Sequence, residues 1–338
     1  MTILSTELLF YNAETVSDAA TNGGIMGLAT TKKITSSAVQ NVFPHVFSAE
    51  RIAGSTKYRK VFAKVANDAD DTLIGAQLWL DAPTAADDFV VFCAGTQTNT
   101  QGDLTGSERI YGCAAITSDI AAGGQAIVVE VEDAAITGIY QVGDTIQLTD
   151  KTTPDSATGN AEQLTIDTVA VSGSQVTIGT VEVIGNDYLV ASGSRVASVY
   201  EPGDIVAAAG TLTVNSSAGT YDDTTYPVLA DNIGSVAQTV TLTFLDSANF
   251  TAVSNVAAIG TLPAGSTGTD YAPSNANFSK PYFTLKADGW GGTWAAGDTL
   301  TVPITPAAAA VWEKRVVPAG AASMASNKVT LVMSGESA

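Results

Sequence analysis

The residues whose type and spacing could do chemistry are aspartates that recur in one setting. Residues 140–146 read YQVGDTI, residues 200–206 read YEPGDIV, and residues 294–300 read WAAGDTL. Each has an aromatic residue, two spacers, Gly-Asp and then an aliphatic-rich run. Gathered at one point, Asp144, Asp204 and Asp298 would offer a hard divalent cation several oxygens. Their unequal spacing does not gather them, and none lies in a calcium-loop pattern. Glycine tolerates positive φ and aspartate caps a turn with its side chain, so the three motifs are expected to be strand entries.

Further acids stand in clusters: Asp68, Asp70 and Asp71; Asp87 and Asp88; Asp222 and Asp223. Paired carboxylates can serve glycoside hydrolysis or hold calcium. An acidic hydrolase would place its chemistry on Asp87 and Asp88, and weak calcium binding would fall in the loop 67–71. Each cluster, however, sits where a turn between strands is expected, and a solvated hairpin tip explains it more simply. His45 is the single histidine, so imidazole metal clusters are excluded and any Ser-His-Asp or Cys-His system would need this one residue. Its setting, NVFPHVFSAE, favours a packed structural role. No nucleophile elbow, phosphate loop or H-E-x-x-H motif occurs. No catalytic constellation, cofactor or metal is expected, and the chain reads as a non-enzyme.

Trp290 and Trp294, in DGWGGTWAAGD, are the close pair of tryptophans. With Tyr271 they could line a glycan site or an interface. The segment LPAGSTGTDYAPSNANFSKP (262–281) is polar and nearly free of charge, and could be laid against a neighbouring subunit as an arm. Trp290, Trp294, Tyr271 and Phe278 are therefore the candidate interface residues. Cys93 and Cys113 do not make a disulfide framework and are expected as small buried thiols.

These residues need a frame, and composition points to β-structure. Only 14% of the 338 residues are charged, while 31 are glycine. Period-two and short apolar runs recur about every ten residues with turn signals between them: KYRKVFAKVA (57–66), TLIGAQLWLD (72–81), DDFVVFCAG (87–95), EQLTIDTVAV (162–171), VAQTVTLTFLD (236–246) and AVWEKRVVP (310–318). That rhythm argues a sandwich or barrel with very little helix. SSAVQNVF (36–43) and SAERIAG (48–54) are the helical candidates. The expected division is a β-sandwich-like part over 1–105, an inserted small SH3-like β-barrel over 106–208, and a β-sandwich-like part over 209–338 that packs with 1–105.

With 34 acids against 15 bases the formal charge is −19. Such a field repels phosphate backbones, so nucleic-acid binding is not expected. No run of about 18 or more uninterrupted apolar residues exists, so no membrane helix is expected. The start, MTILSTELLFYNAE, lacks the basic and apolar regions of a signal peptide.

The stretches LLFYNAETVSDAATNGGIM, AERIAGSTKYRKVFAKVANDADDTLIGAQLWL and PAAAAVWEKRVVPAGAASMASNKVTLVMSGESA resemble virion structural proteins of tailed bacteriophages, a group encoded among head and tail morphogenesis genes. The resemblance covers both ends of the chain and none of its motifs is catalytic. It implies a non-enzymatic virion component made in the host bacterial cytoplasm, with major capsid or tail proteins as partners. Head decoration as a trimeric minor capsid protein is the first expectation within it. A tail, neck or baseplate component is the second, and a receptor- or glycan-binding module is the reading from a different class.

Overall fold

A computed structural model describes residues 2–337. The chain is all-β, as expected, with one short α-helix, Ser48–Ala53, and a few 3-10 turns among the described residues. Its base is two facing antiparallel sheets. One runs Gly23–Met26, Leu8–Thr15, Ser55–Val65, Ala308–Val317, Phe89–Ala94, Ile110–Tyr111 in spatial order, and the other runs Tyr200–Ile205, Leu73–Leu80, Leu331–Ser337. Val61, Ala63, Val65, Leu78, Leu80, Phe92, Val311 and Met333 close between them.

The strand Ser55–Val65 shows how period two is used here. Its odd positions Val61, Ala63 and Val65 enter the sandwich, while Phe62 packs behind it against Tyr11, Met26, Ala308 and Ala310. A strand buried on both faces leaves its remaining side chains no solvent, so Lys60 and Lys64 are 1% and 0% exposed. The alternating pattern alone would have turned both lysines to water.

The chain leaves this base twice. Between Cys113 and Ser198 six strands close a barrel in the order 161–172, 175–180, 126–130, 113–116, 195–198, 145–149. Ile127, Val129, Ile146, Leu148, Ile166, Val176, Ile178 and Val196 fill it. An ion pair of Arg195 with Asp81, 2.9 Å apart and with both side chains 9% exposed, fixes the barrel to the base. The second excursion is a sheet of Ala208–Ala209, Thr299–Thr305, Gln238–Phe244, Asn249–Ser254 and Thr261–Ser266, with Thr213–Asn215 also paired to Thr299–Thr305. It has its own core of Val240, Leu242, Phe244, Phe250, Phe283, Trp294, Leu300 and Val302. Strand Ala308–Val317 then returns between Ser55–Val65 and Phe89–Ala94. Pairing therefore splits the expected unit 209–338 near residue 306, because the last two strands belong to the base.

Of the two helical candidates, 48–54 forms: the Glu50 carboxylate accepts the Phe47 N–H at 2.9 Å and caps it. Residues 36–43 do not. Ser37 and Gln40 take φ of 64° and 58°, the left-handed region, which a right-handed helix cannot contain.

Glu313 carries a pH prediction. It is 3% exposed in the middle of strand Ala308–Val317, and burial pushes its carboxyl up to about 7. A raised acid binds its proton more tightly in the folded chain, so stability is greatest near pH 4.5 and falls as pH rises to about 7. The loss is about 3 kcal/mol. In Glu313→Gln this fall should vanish from chemical denaturation curves taken between pH 5 and 8. An equal pH slope in both proteins would refute the assignment.

Candidate functional site

Two of the three Gly-Asp motifs close the same turn. The Asp144 carboxylate accepts the Gln141 N–H at 3.0 Å while its own N–H donates to the Gln141 carbonyl. Asp298 repeats both bonds with Ala295, the side-chain one at 2.9 Å. In the third motif Pro202 follows Glu201 inside strand Tyr200–Ile205, and Asp204 instead accepts the Gly75 N–H across the sheet at 2.9 Å. Gly143, Gly203 and Gly297 have φ of 90°, 84° and 93°, the region that glycine alone enters cheaply. The aspartates stand in three different units. Asp144 pairs with Arg109 and Asp298 accepts the Ser216 hydroxyl at 2.6 Å.

The acid clusters are likewise spent on chain geometry. Asp222 accepts the N–H groups of Thr224 and Thr225, and Asp223 that of Val228. Asp87 accepts the Ala322 N–H at 2.8 Å, and Asp88 accepts the Asn327 side-chain amide at 2.5 Å, so both hold the segment that leads to the last strand. Burial raises the Asp88 carboxyl above its ordinary range. Among the described residues no group of three or more His, Cys, Asp or Glu is placed to hold a metal ion. His45, expected to be packed, is exposed and meets Gln40 at 2.8 Å, because the flanking Phe43 turns in over Arg59 and Arg315 without it. Cys93 and Cys113 are free and buried, and burial raises both thiols.

Two of the four aromatic candidates, Trp294 and Tyr271, are core. Trp294 is 3% exposed and stacks on Phe244 with ring centres 4.1 Å apart and planes 9° from parallel. Trp290 meets Tyr221, Phe250 and Trp294 in the same cluster. Tyr271, 5% exposed, packs its ring on Phe250 and donates its hydroxyl to the Pro263 carbonyl at 2.8 Å. Phe278 is half-buried against Tyr11 and Lys64. The interface expectation is thus corrected for Trp294 and Tyr271, whose rings are buried in their own unit and closed to a partner or a sugar, while Trp290 is only half-buried. The segment 262–281, expected as an arm, is ordered within its own unit. Thr261–Ser266 is a paired edge strand, Ser274–Asn275 pairs with Lys280–Pro281, and the Asn275 amide donates to the Gly234 carbonyl at 2.9 Å. Large apolar side chains left open lie elsewhere: Phe47 and Ile52, at the short helix, are 64% and 74% exposed, and Val39 is 84% exposed.

The most developed polar cluster joins the base to the second excursion, and the sequence did not single it out. The Asn232 side chain, 0% exposed, accepts the Ala207 N–H at 2.8 Å and donates to the Asp71 carbonyl at 2.9 Å. Its backbone N–H donates to the Asp70 carboxylate at 2.6 Å. Asp68 pairs with Lys280, and Lys64 donates to the Ile233 carbonyl at 2.8 Å. Burial raises the Asp70 carboxyl and pushes the Lys64 ammonium down to about 8. The loop 67–71, weighed for calcium, is therefore a clamp between two units. Asn232→Ala strands the Ala207 N–H and the Asp71 carbonyl in a buried joint. It should cost about 2–3 kcal/mol and separate the thermal unfolding of residues 208–305 from that of the base. A single unshifted transition would show the joint to be dispensable.

No protein-family model matches the chain, and no curated protein matches it. Among the described residues no helix is long and apolar enough to cross a membrane.

Proposed function

We propose that this chain is a non-enzymatic structural component of a tailed-bacteriophage virion, with decoration of the head as a minor capsid protein the preferred position. One observation carries the reading. The stretches that resemble virion structural proteins lie at opposite ends of the sequence, yet they supply the strands Leu8–Thr15, Gly23–Met26, Ser55–Val65, Leu73–Leu80, Ala308–Val317 and Leu331–Ser337 of one base sandwich. The resemblance therefore follows a folding unit. The base carries two further β-units on clamped joints, a layout suited to multivalent contact with neighbouring proteins.

The acid groups weighed for catalysis are engaged in turns, caps and the interunit clamp, which favours a scaffold over a hydrolase. The burial of Trp294 and Tyr271 leaves only the half-buried Trp290 of the three, which weakens the support for a glycan-binding module built on them. Major capsid or tail proteins are the proposed partners, and a trimer is the proposed assembly.

Particles assembled without this chain test the decoration role. Purified protein added back should bind them to saturation, with a stoichiometry matching the lattice of the head. Binding confined to tails would move the assignment to the tail or neck. Failure to bind any particle would contradict decoration.

A further inference from the structure

We propose that Lys60 and Asn99 join in an intramolecular isopeptide bond, made by the chain itself after folding. Lys60 stands in strand Ser55–Val65 directly across from Trp312 of strand Ala308–Val317, and both reach Asn99 in the loop that follows Phe89–Ala94. The Lys60 nitrogen lies 2.8 Å from the Asn99 backbone carbonyl and 2.6 Å from that of Gly24. It sits 5.7 Å from the centre of the Trp312 ring. The Trp312 Nε1–H donates to the Asn99 Oδ1 at 3.2 Å, and the Thr96 N–H donates to the same oxygen at 3.1 Å. A buried amine and a carboxamide polarised by two N–H donors are thus held at one residue.

Each part has a chemical role. Burial favours the neutral amine, which is the nucleophilic form. It brings Lys60 down to about 7, with the Asp103 carboxylate the charge that opposes this. The amine attacks Asn99 Cγ and a C–N bond forms. The oxygen that takes up negative charge already faces two donors, the arrangement that stabilises a tetrahedral intermediate. The Cγ–Nδ2 bond then breaks. The proton given up by the amine ends on Nδ2, and ammonia leaves. The product is one amide linking Lys60 Nζ to Asn99 Cγ, with no oxidant or reductant involved. It would tie the central strand of the base to the loop 95–103, which already pairs with Gly23 and Gly24.

Intact-mass spectrometry of the full-length protein, held folded at pH 8, reads this directly. The wild-type chain should be lighter than its sequence by one ammonia, and peptide mapping should recover a branched peptide joining the Lys60 and Asn99 segments. Lys60→Arg and Asn99→Ala should keep full mass. Trp312→Phe, which removes one donor, should slow the loss about a hundredfold. Full mass in the folded wild type would overturn the proposal. So would a deficit that persists in Lys60→Arg, since ring closure at Asn99-Thr100 also expels ammonia. The branched peptide is sought in the wild type, so the test stands even where a variant fails to fold.

Discussion

Gly292→Ala should destabilise the unit 208–305 by about 4 kcal/mol or more, among the largest effects open to a single methyl group. Gly292 has φ of 67°, and a Cβ built on it would lie 1.8 Å from the Ala218 carbonyl oxygen and 2.9 Å from the Ala218 carbonyl carbon. These are backbone atoms and cannot swing aside. Gly292 pairs directly with Gly219, on whose Cα the Trp294 ring rests; a Cβ at Gly219 would meet that ring at 2.4 Å. Relieving the clash must open the pairing of Gly219–Tyr221 with Trp290–Gly292 and lift Trp294 from Phe244. Gly297→Ala supplies the comparison. Its φ of 93° carries a conformational cost of about 1–2 kcal/mol, but nothing lies within 4 Å of the added atom. Urea denaturation followed by tryptophan fluorescence should therefore separate the two variants clearly. Similar losses in both would mean that the crowding at Ala218 is relieved at little cost.

Trp312→Ala is the second large effect, expected at about 3–5 kcal/mol. Trp312 is 0% exposed and fills the face of the base sheet opposite the sandwich. Its ring packs against Gly23 so closely that a Cβ there would come within 2.5 Å, and it anchors Asn99 through Nε1. Truncation would leave a cavity beside the Lys60 side chain and release the loop that caps it. Trp312→Phe keeps most of the ring volume and should lose less than half as much. Thermal unfolding of the two variants gives the comparison, and equal losses would assign the effect to the indole N–H in place of packing.

The strands were legible because alternation of apolar and polar residues survives wherever one face is wet. Gln175–Thr180 buries Val176, Ile178 and Thr180 and exposes or half-exposes the residues between. The Gly-Asp turns were legible for a local reason, since glycine and aspartate close them with their own neighbours. What escaped the sequence was long-range. AVWEKRVVP carries no mark that its partners are residues 55–65 and 89–94, hundreds of positions away in part, so the sequence did not separate the last two strands, which pair within the base, from the rest of 209–338. KYRKVFAKVA hides two buried lysines, because backbone carbonyls at Gly24, Asn99 and Ile233 receive them. DGWGGTWAAGD read as an open surface, whereas Gly219 and Gly292 are small so that strands and a tryptophan can approach closely. The joint at Asn232 left no signal, since its partners Asp70, Asp71 and Ala207 come from two other segments of the chain.

The proposal that this all-β chain is a virion component is tested most directly by quantitative mass spectrometry of purified particles from cells that carry its gene. Peptides from the base, the barrel and the unit 208–305 should be present together and in fixed ratio to the major capsid protein. A ratio near that of the capsid lattice supports decoration of the head, and a much lower one supports the tail or neck. Absence of the chain from particles that are otherwise complete would contradict the structural role altogether.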